Sequence, residues 1–415
     1  MELLNKIYLR VYFLIMLLYV FLNKGVAYTY LVELLLFTGI LLIMLNRKSF
    51  EIIVEKKFII LLFFIFLSVV YIFFGLNKYA LVDVFRDALV FQYACFALIV
   101  YMFKNDQEYI WQQLRKIYSW FPIVVTVSFL LLYFVPGADQ IFVFGGVPII
   151  WYKNGDKSVH LLISTLLFIQ YYRNYTKRWL SLNAILIILN VLILLAFTRS
   201  GSLSYFMGLG LFIFFAKGDL LGQTLKPLLK YFPLLLFVVG ALFVSLEIQG
   251  DTQGRVLGFG QIQDNLSSIV TDDVEGNLTD NKIWRLLWWA DIVNYSFTPS
   301  YFFTGRGLGM SLSNTVGVRG EFSPLRSPHN FHLTIMARFG VIIFSIWIYW
   351  LVVLFKPIFL KTTQNLQLLI LCILLTFVVN ASFDVFLEGS MGAFPFWTWV
   401  GILFISYFST SNLKT

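Results

Sequence analysis

The chain is poor in charge: charged residues are 13% of 415, while apolar residues are 59%, against about a quarter and a half in an ordinary globular domain. Other absences exclude whole classes. The two cysteines, Cys95 and Cys372, lie inside apolar runs, so they supply neither a disulfide framework nor a zinc spacing and read as small buried hydrophobes. There is no Walker loop, no D-x-D, no H-E-x-x-H and no G-x-S-x-G, so phosphate-loop, metal–nucleotide-sugar, zincin and nucleophile-elbow chemistry have no local signature. No run alternates apolar and polar residues as a barrel strand would. Histidine is scarce as well, with three copies, and two of them, His329 and His332, share the stretch "SPHNFHL".

Long apolar runs are present in their place. Twelve candidate spans fall at about 8–23, 27–45, 58–75, 80–103, 118–136, 158–172, 179–197, 200–216, 231–247, 330–355, 367–385 and 393–409. The expectation is an all-α polytopic membrane protein, one integral domain over 1–415. Lys6 and Arg10 precede the first run, but no small-residue cleavage site follows, so it reads as an uncleaved first span. With the N-terminus in the cytoplasm, the inner segments hold 18 of the 31 lysines and arginines, and the short outer loops hold five: Lys24, Lys78, Lys153, Lys157 and Arg199. Both termini are then cytoplasmic. The net charge of +9 is this asymmetry and not a nucleic-acid patch.

Residues 248–328 form one large outer loop between the ninth and tenth spans, and long ordered loops are usually functional. From 251 it has six basic residues, Arg255, Lys282, Arg285, Arg306, Arg319 and Arg326. The arginine bias suits bidentate contact with phosphate or carboxylate, although scattered loop arginines are often only solvated. The acidic run "TDDVEG", with Asp272, Asp273 and Glu275, reads as a solvated face.

Several residues carry candidate chemistry. His329 sits at the outer mouth of the tenth span and is either a proton acceptor or a helix-capping histidine. His332, one turn on, is expected to pack. Arg199 lies in the tight turn of "FTRSGSL", on the same face as His329; it has a task there or snorkels to headgroups. In "NKIWRLLWWADIV", Ile283, Leu286, Leu287 and Ala290 share one helical face, which predicts a short interfacial helix carrying Arg285. Trp284, Trp288 and Trp289 could stack on sugars or form an aromatic belt. "GRGLGMS", with Gly305, Gly307 and Gly309, is no dinucleotide fingerprint, because no strand precedes it. It is a close-approach loop or a turn. Arg86, between Asp83 and Asp87 in the fourth span, either pairs with them or meets an anionic headgroup, and Arg338 inside the tenth span raises the same question. Asp384 is the nearest carboxylate candidate for orienting a histidine or an acceptor, and equally a plain helix-end carboxylate.

Taken in order, "FTRSGSL", then "WRLLWWADIV", Pro299 and "GRGLG", then "HNFHLTIMARFG" closed by Gly340, resemble the O-antigen ligase and O-antigen polymerase superfamily of bacterial cell-envelope proteins. The likeness is strongest over about 180–345, and the span count agrees over the whole chain. It implies a glycosyltransferase of the bacterial plasma (inner) membrane, working on the extracytoplasmic face without a metal or other cofactor. The donor would be a glycan on undecaprenyl diphosphate. The acceptor would be a sugar hydroxyl, on a second lipid-linked glycan for a polymerase or on lipid A-core for a ligase, and a chain-length regulator would be a partner. By position, His329 would be the base, and Arg199 and Arg285 the diphosphate ligands, with Arg86 and Asp384 in support. "PHNFHL" and "GRGLG" look more like polymerases. A flippase or other transporter of similar span number is the alternative of another class, resting on Arg86 and Arg338. A peptidoglycan polymerase of the shape-and-division type lacks support from the His329 motif.

Overall fold

The computed structural model describes residues 2–22, 29–46, 58–135, 137–141, 143–144, 147–148, 154–171, 176–216, 248–249, 256–257, 277–315 and 326–411. These are almost wholly helical. Two short antiparallel pairs, Val143–Phe144 with Val147–Pro148 and Ile248–Gln249 with Val256–Leu257, are the strands among them. The helices are α1 (Glu2–Leu22), α2 (Leu31–Leu45), α3 (Ile59–Leu76), α4 (Leu81–Gln92), α5 (Cys95–Met102), α6 (Gln107–Phe134), α7 (Asn154–Tyr171), α8 (Lys177–Phe197), α9 (Arg199–Phe215), α10 (Asn277–Ser296), α11 (Phe331–Phe359), α12 (Asn365–Ala381) and α13 (Ser390–Ser411). Helix occupies eleven of the twelve apolar stretches; 231–247 lies outside the described residues, as do Arg255, Asp272, Asp273, Glu275 and Arg319.

Among the described residues five helices, α1, α3, α6, α8 and α11, are long and apolar enough to cross a membrane, or six if α4 and α5 count as one bent span. α2 and α12 are apolar but only 15 and 17 residues long, about 23 and 26 Å at 1.5 Å per residue, short of a hydrocarbon core of about 30 Å. The stretch 80–103 is not one straight helix. It bends by 49° between α4 and α5. The cause is local: Ala94, Phe96 and Ala97 bond back three residues, to Phe91, Tyr93 and Ala94, which tightens one turn and redirects the axis.

α7 is the centre of the bundle. Every residue from Gly155 to Ile169 is buried, and the helix packs against α6, α8, α9 and α12. Its polar side chains act as ties to those neighbours. Ser164 donates to the Tyr118 carbonyl at 2.8 Å, Thr165 bonds the Tyr205 hydroxyl at 3.1 Å, Ser158 bonds Ser204 at 3.1 Å, and His160 Nδ1 bonds the Tyr118 hydroxyl at 3.1 Å. Between apolar helices in lipid, such bonds and small-residue contacts supply association that hydrophobicity cannot. Gly208 is such a contact: a Cβ there would lie 3.3 Å from the Cys372 carbonyl and closer still to Thr376, so α9 and α12 touch backbone to side chain.

The large apolar side chains left exposed on α3 and α11, such as Phe66, Phe73, Phe74 and Val352, are those a bilayer would cover. α10 presents Ile283, Leu286, Leu287 and Ala290 outward, the face expected of an interfacial helix. It packs on α11 through the opposite side, where Trp288, Ile292 and Tyr295 meet Met336, Ala337 and Val341.

Candidate active site

α11 is broken at Gly340, whose φ of 87° and ψ of 172° lie in a region open essentially to glycine. The break frees backbone groups inside the bundle, where each must find a partner. The glycine-rich loop provides them. Arg306 N–H donates to the Ala337 carbonyl at 2.8 Å, Gly307 N–H to the Arg338 carbonyl at 2.9 Å, and Val341 N–H to the Phe302 carbonyl at 2.8 Å. No side chain fits between these strands of backbone. A Cβ on Gly305 would collide with the Arg338 backbone, and one on Gly340 would sit 2.7 Å from Phe302 O. "GRGLG" is therefore a close-approach loop docked into a helix break.

The buried charges lock that docking. Arg338, with a side chain 2% exposed, pairs with Asp87, 7% exposed, at 2.7 Å. It also donates to the Met310 carbonyl at 3.1 Å. Asp87 accepts from Gly309 N–H at 2.9 Å and faces Arg326 at 3.5 Å. Arg326 in turn reaches Asp83 at 3.2 Å. Arg86, the supporting candidate from sequence, pairs with Asp83 at 2.5 Å and has a half-exposed side chain. These charges are thus partnered across α4, the loop and α11.

One end of this assembly gathers the sequence-derived candidates. His329 sits in the turn before α11 with φ 54°, a left-handed conformation that is uncommon without glycine. Three bonds hold its flanks. Trp289 Nε1 donates to the Pro328 carbonyl at 2.7 Å. Asn330 caps α11, its Oδ1 accepting from His332 N and Leu333 N, both at 3.1 Å. His329 Nδ1 lies 3.8 Å from Asp384 Oδ1, within ion-pair reach though beyond a hydrogen bond. Asp384 Oδ1 also accepts from Val385 N–H at 2.7 Å, which fixes its orientation. Trp284 meets the His329 ring edge-on at 5.8 Å.

Arg285 completes the cluster from α10. It donates to the Phe383 carbonyl at 3.3 Å, next to Asp384, and its Nε is buried with no hydrogen-bond partner among the described residues. Burial pulls its guanidinium below the ordinary arginine value; the Asp384 carboxylate opposes that shift, and the charge of Arg199 adds to it. Arg199, first residue of α9 after the single-residue turn at Thr198, is thus close enough to repel Arg285. Two like charges and an unsatisfied donor beside a histidine and a carboxylate make a site suited to an anion.

His332 does not join them. Its Nδ1 accepts from Trp347 Nε1 at 3.0 Å, so its Nε2 carries the proton and donates to the Val378 carbonyl at 3.1 Å. It packs, as expected. Sequence reasoning passed over Glu388, in the Phe386–Glu388 turn, whose Oε1 accepts from the Thr334 hydroxyl at 2.7 Å. Its only local signal was a glutamate four residues beyond Asp384 in "DVFLEG". Among the described residues no three His, Cys, Asp or Glu side chains gather as a metal ligand set.

No protein-family model matches the chain, and no curated protein matches it.

Proposed function

We propose that this protein transfers a glycan from a polyprenyl (undecaprenyl) diphosphate to a sugar hydroxyl, on the outer face of a bacterial plasma membrane, as a polymerase of surface polysaccharide. The observation that carries the reading is the pairing of His329 and Asp384 at 3.8 Å beside Arg285, whose buried Nε has no hydrogen-bond partner among the described residues. A diphosphate between the two guanidiniums relieves their repulsion and satisfies the orphaned Nε of Arg285. With Nδ1 of His329 turned to Asp384, Nε2 is the atom that takes the acceptor's proton. The acceptor oxygen forms its bond to the anomeric carbon as the bond from that carbon to phosphate breaks. The electron pair leaves with the diphosphate, whose growing charge the arginines stabilise. Attack opposite the leaving group inverts the anomeric centre. A positioned base contributes about 10²–10⁴-fold, and the diphosphate is already a good leaving group.

The two charges that favoured a transporter are engaged elsewhere: Arg338 with Asp87, and Arg86 with Asp83. The test is glycan profiling by gel in a strain lacking the gene, complemented with wild type or His329→Ala at matched membrane levels. A ladder restored by wild type and collapsed to single repeat units by the variant supports a polymerase. Attachment to lipid A-core by wild type, with unattached polymer in the variant, makes it a ligase. A variant equal to wild type overturns the role of His329 and returns the transporter reading.

A further inference from the structure

His329 occupies a left-handed backbone conformation that is uncommon without glycine, and the helical turn that follows it is tied to one carboxyl group. Glu388 Oε1 accepts from the Thr334 hydroxyl at 2.7 Å, and the Ser327 hydroxyl favours the charged form of the same carboxyl group. Ser327 lies two residues before His329 and Thr334 five after it. The Thr334 hydroxyl also reaches the Asn330 carbonyl at 3.1 Å, immediately beyond His329. Ser327 and Thr334 are themselves buried, so neither hydroxyl has water to replace the carboxyl oxygens, and losing such an acceptor is costly.

The same short segment therefore does two things. Asp384 faces the His329 ring; four residues later, Glu388 gathers the backbone on which that ring is mounted. The turn holding Glu388 packs against α4 and α11. The carboxyl also lies within electrostatic reach of Arg338 and Asp87, the pair that fixes the break in α11. Its position thus depends on the locked part of the fold and not on the loop it holds.

We infer that Glu388 is the positioning residue of the candidate site: its carboxyl group, bonded to Thr334, whose hydroxyl also reaches the Asn330 carbonyl, holds His329 in the left-handed turn that aims its ring at Asp384 and the acceptor. This rests on the transfer reading given above. Glutamate suits the task because its carboxyl oxygen accepts from the Thr334 hydroxyl, and glutamine retains one acceptor oxygen on the same frame.

The test compares wild type, Glu388→Gln and Glu388→Ala, each the full chain purified in detergent, with two readouts. The first is the rate at which diethyl pyrocarbonate modifies His329, followed by mass spectrometry of its peptide; the second is kcat and KM with the host's own lipid-linked repeat unit. In Glu388→Ala the modification rate of His329 is expected to change several-fold while those of His160 and His332 do not. Its kcat is expected to fall roughly 100-fold, the scale of a misplacement near 1 Å, with KM close to wild type. Glu388→Gln restores most of both. Unchanged His329 reactivity in folded Glu388→Ala overturns the inference, whatever the enzyme assay shows. So does a kcat loss that Glu388→Gln fails to restore at all. If wild type transfers no glycan but His329 reactivity shifts as expected, the transfer reading fails and the positioning role stands.

Discussion

Truncating Asp87 to alanine is expected to destabilise the protein by roughly 4 kcal/mol, the cost of leaving one partner of a buried ion pair behind. Arg338 is left with a side chain 2% exposed and no carboxylate at 2.7 Å. Gly309 N–H also loses its acceptor at 2.9 Å, adding about 1 kcal/mol. Two terms work the other way. Arg338 keeps its bond to the Met310 carbonyl, and the nearby Glu388 carboxyl supplies some compensating charge. The net figure therefore belongs near the middle of the usual range of about 3–5 kcal/mol. Reversible unfolding of the full chain in mixed micelles reads it. The decisive comparison is the double variant Asp87→Leu with Arg338→Met, which removes both charges and keeps volume. It should be closer to wild type than either single change, with a coupling energy of about 1–3 kcal/mol. If Asp87→Ala unfolds within about 0.5 kcal/mol of wild type, or if the two single effects simply add, the pair does not hold the loop to α11.

Gly340→Ala should cost about 2 kcal/mol or more, from a positive φ and a Cβ placed 2.7 Å from Phe302 O. Gly210→Ala, helical with nothing within 4 Å, should be neutral or stabilising by up to about 1 kcal/mol; equal effects in the same unfolding assay would refute the break. Burial raises Glu388 from 4.5 to about 7; Thr334, Ser327 and Arg338 oppose the rise, and Asp87 adds to it. Its folded value is the higher one, so its contribution is complete below the unfolded value and lost as pH rises through about 7. Stability of wild type should thus decline across that window by on the order of 2 kcal/mol relative to Glu388→Gln, and parallel pH profiles would sink the assignment. Arg285→Lys keeps the charge but not the planar fork, so transfer should fall at least about 10-fold. Full activity in that variant, measured with purified protein and lipid-linked donor, would exclude bidentate phosphate contact.

Much of the architecture could be read from local pattern, because each helix is a run of apolar residues and needs no partner to be recognised. A short helix over 281–293 followed from the spacing of Ile283, Leu286, Leu287 and Ala290, which do lie on the outer side of the longer helix Asn277–Ser296. The bend at Tyr93–Ala94 could not be read, since its residues are as apolar as their neighbours and the change is only in which carbonyl each N–H selects. Length was the other difficulty. Apolar runs such as 367–385 include loop residues at their ends, so the helix inside is shorter than the run.

The candidate site shows the same division more sharply. His329, Arg199 and Arg285 could be singled out one by one, because charge and imidazole are rare in this chain and therefore conspicuous. What joins them spans long separations: Asp384 reaches His329 across 55 residues of sequence, and Arg338 finds Asp87 across 251. No periodicity encodes such pairings, so Arg338 remained unresolved until Asp87 was seen opposite it.

The helix break connects the two halves of the argument. An unbroken α11 would satisfy its own backbone and leave the loop at 302–309 nothing to bond. Gly340 frees the groups that capture the loop, Arg338 and Asp87 hold it there, and Arg326 leads from that loop back to Asp83 and into the turn that begins at Ser327. The strain at His329 is thus supported by the Asn330 cap in its own turn and, from outside it, by Trp289 on α10 and Glu388 beside α4. A histidine held in the left-handed region from two other elements is poorly explained as a simple helix cap, because Asn330 already does the capping. Its ring is left to the carboxylate of Asp384 and to whatever enters between it and the arginines.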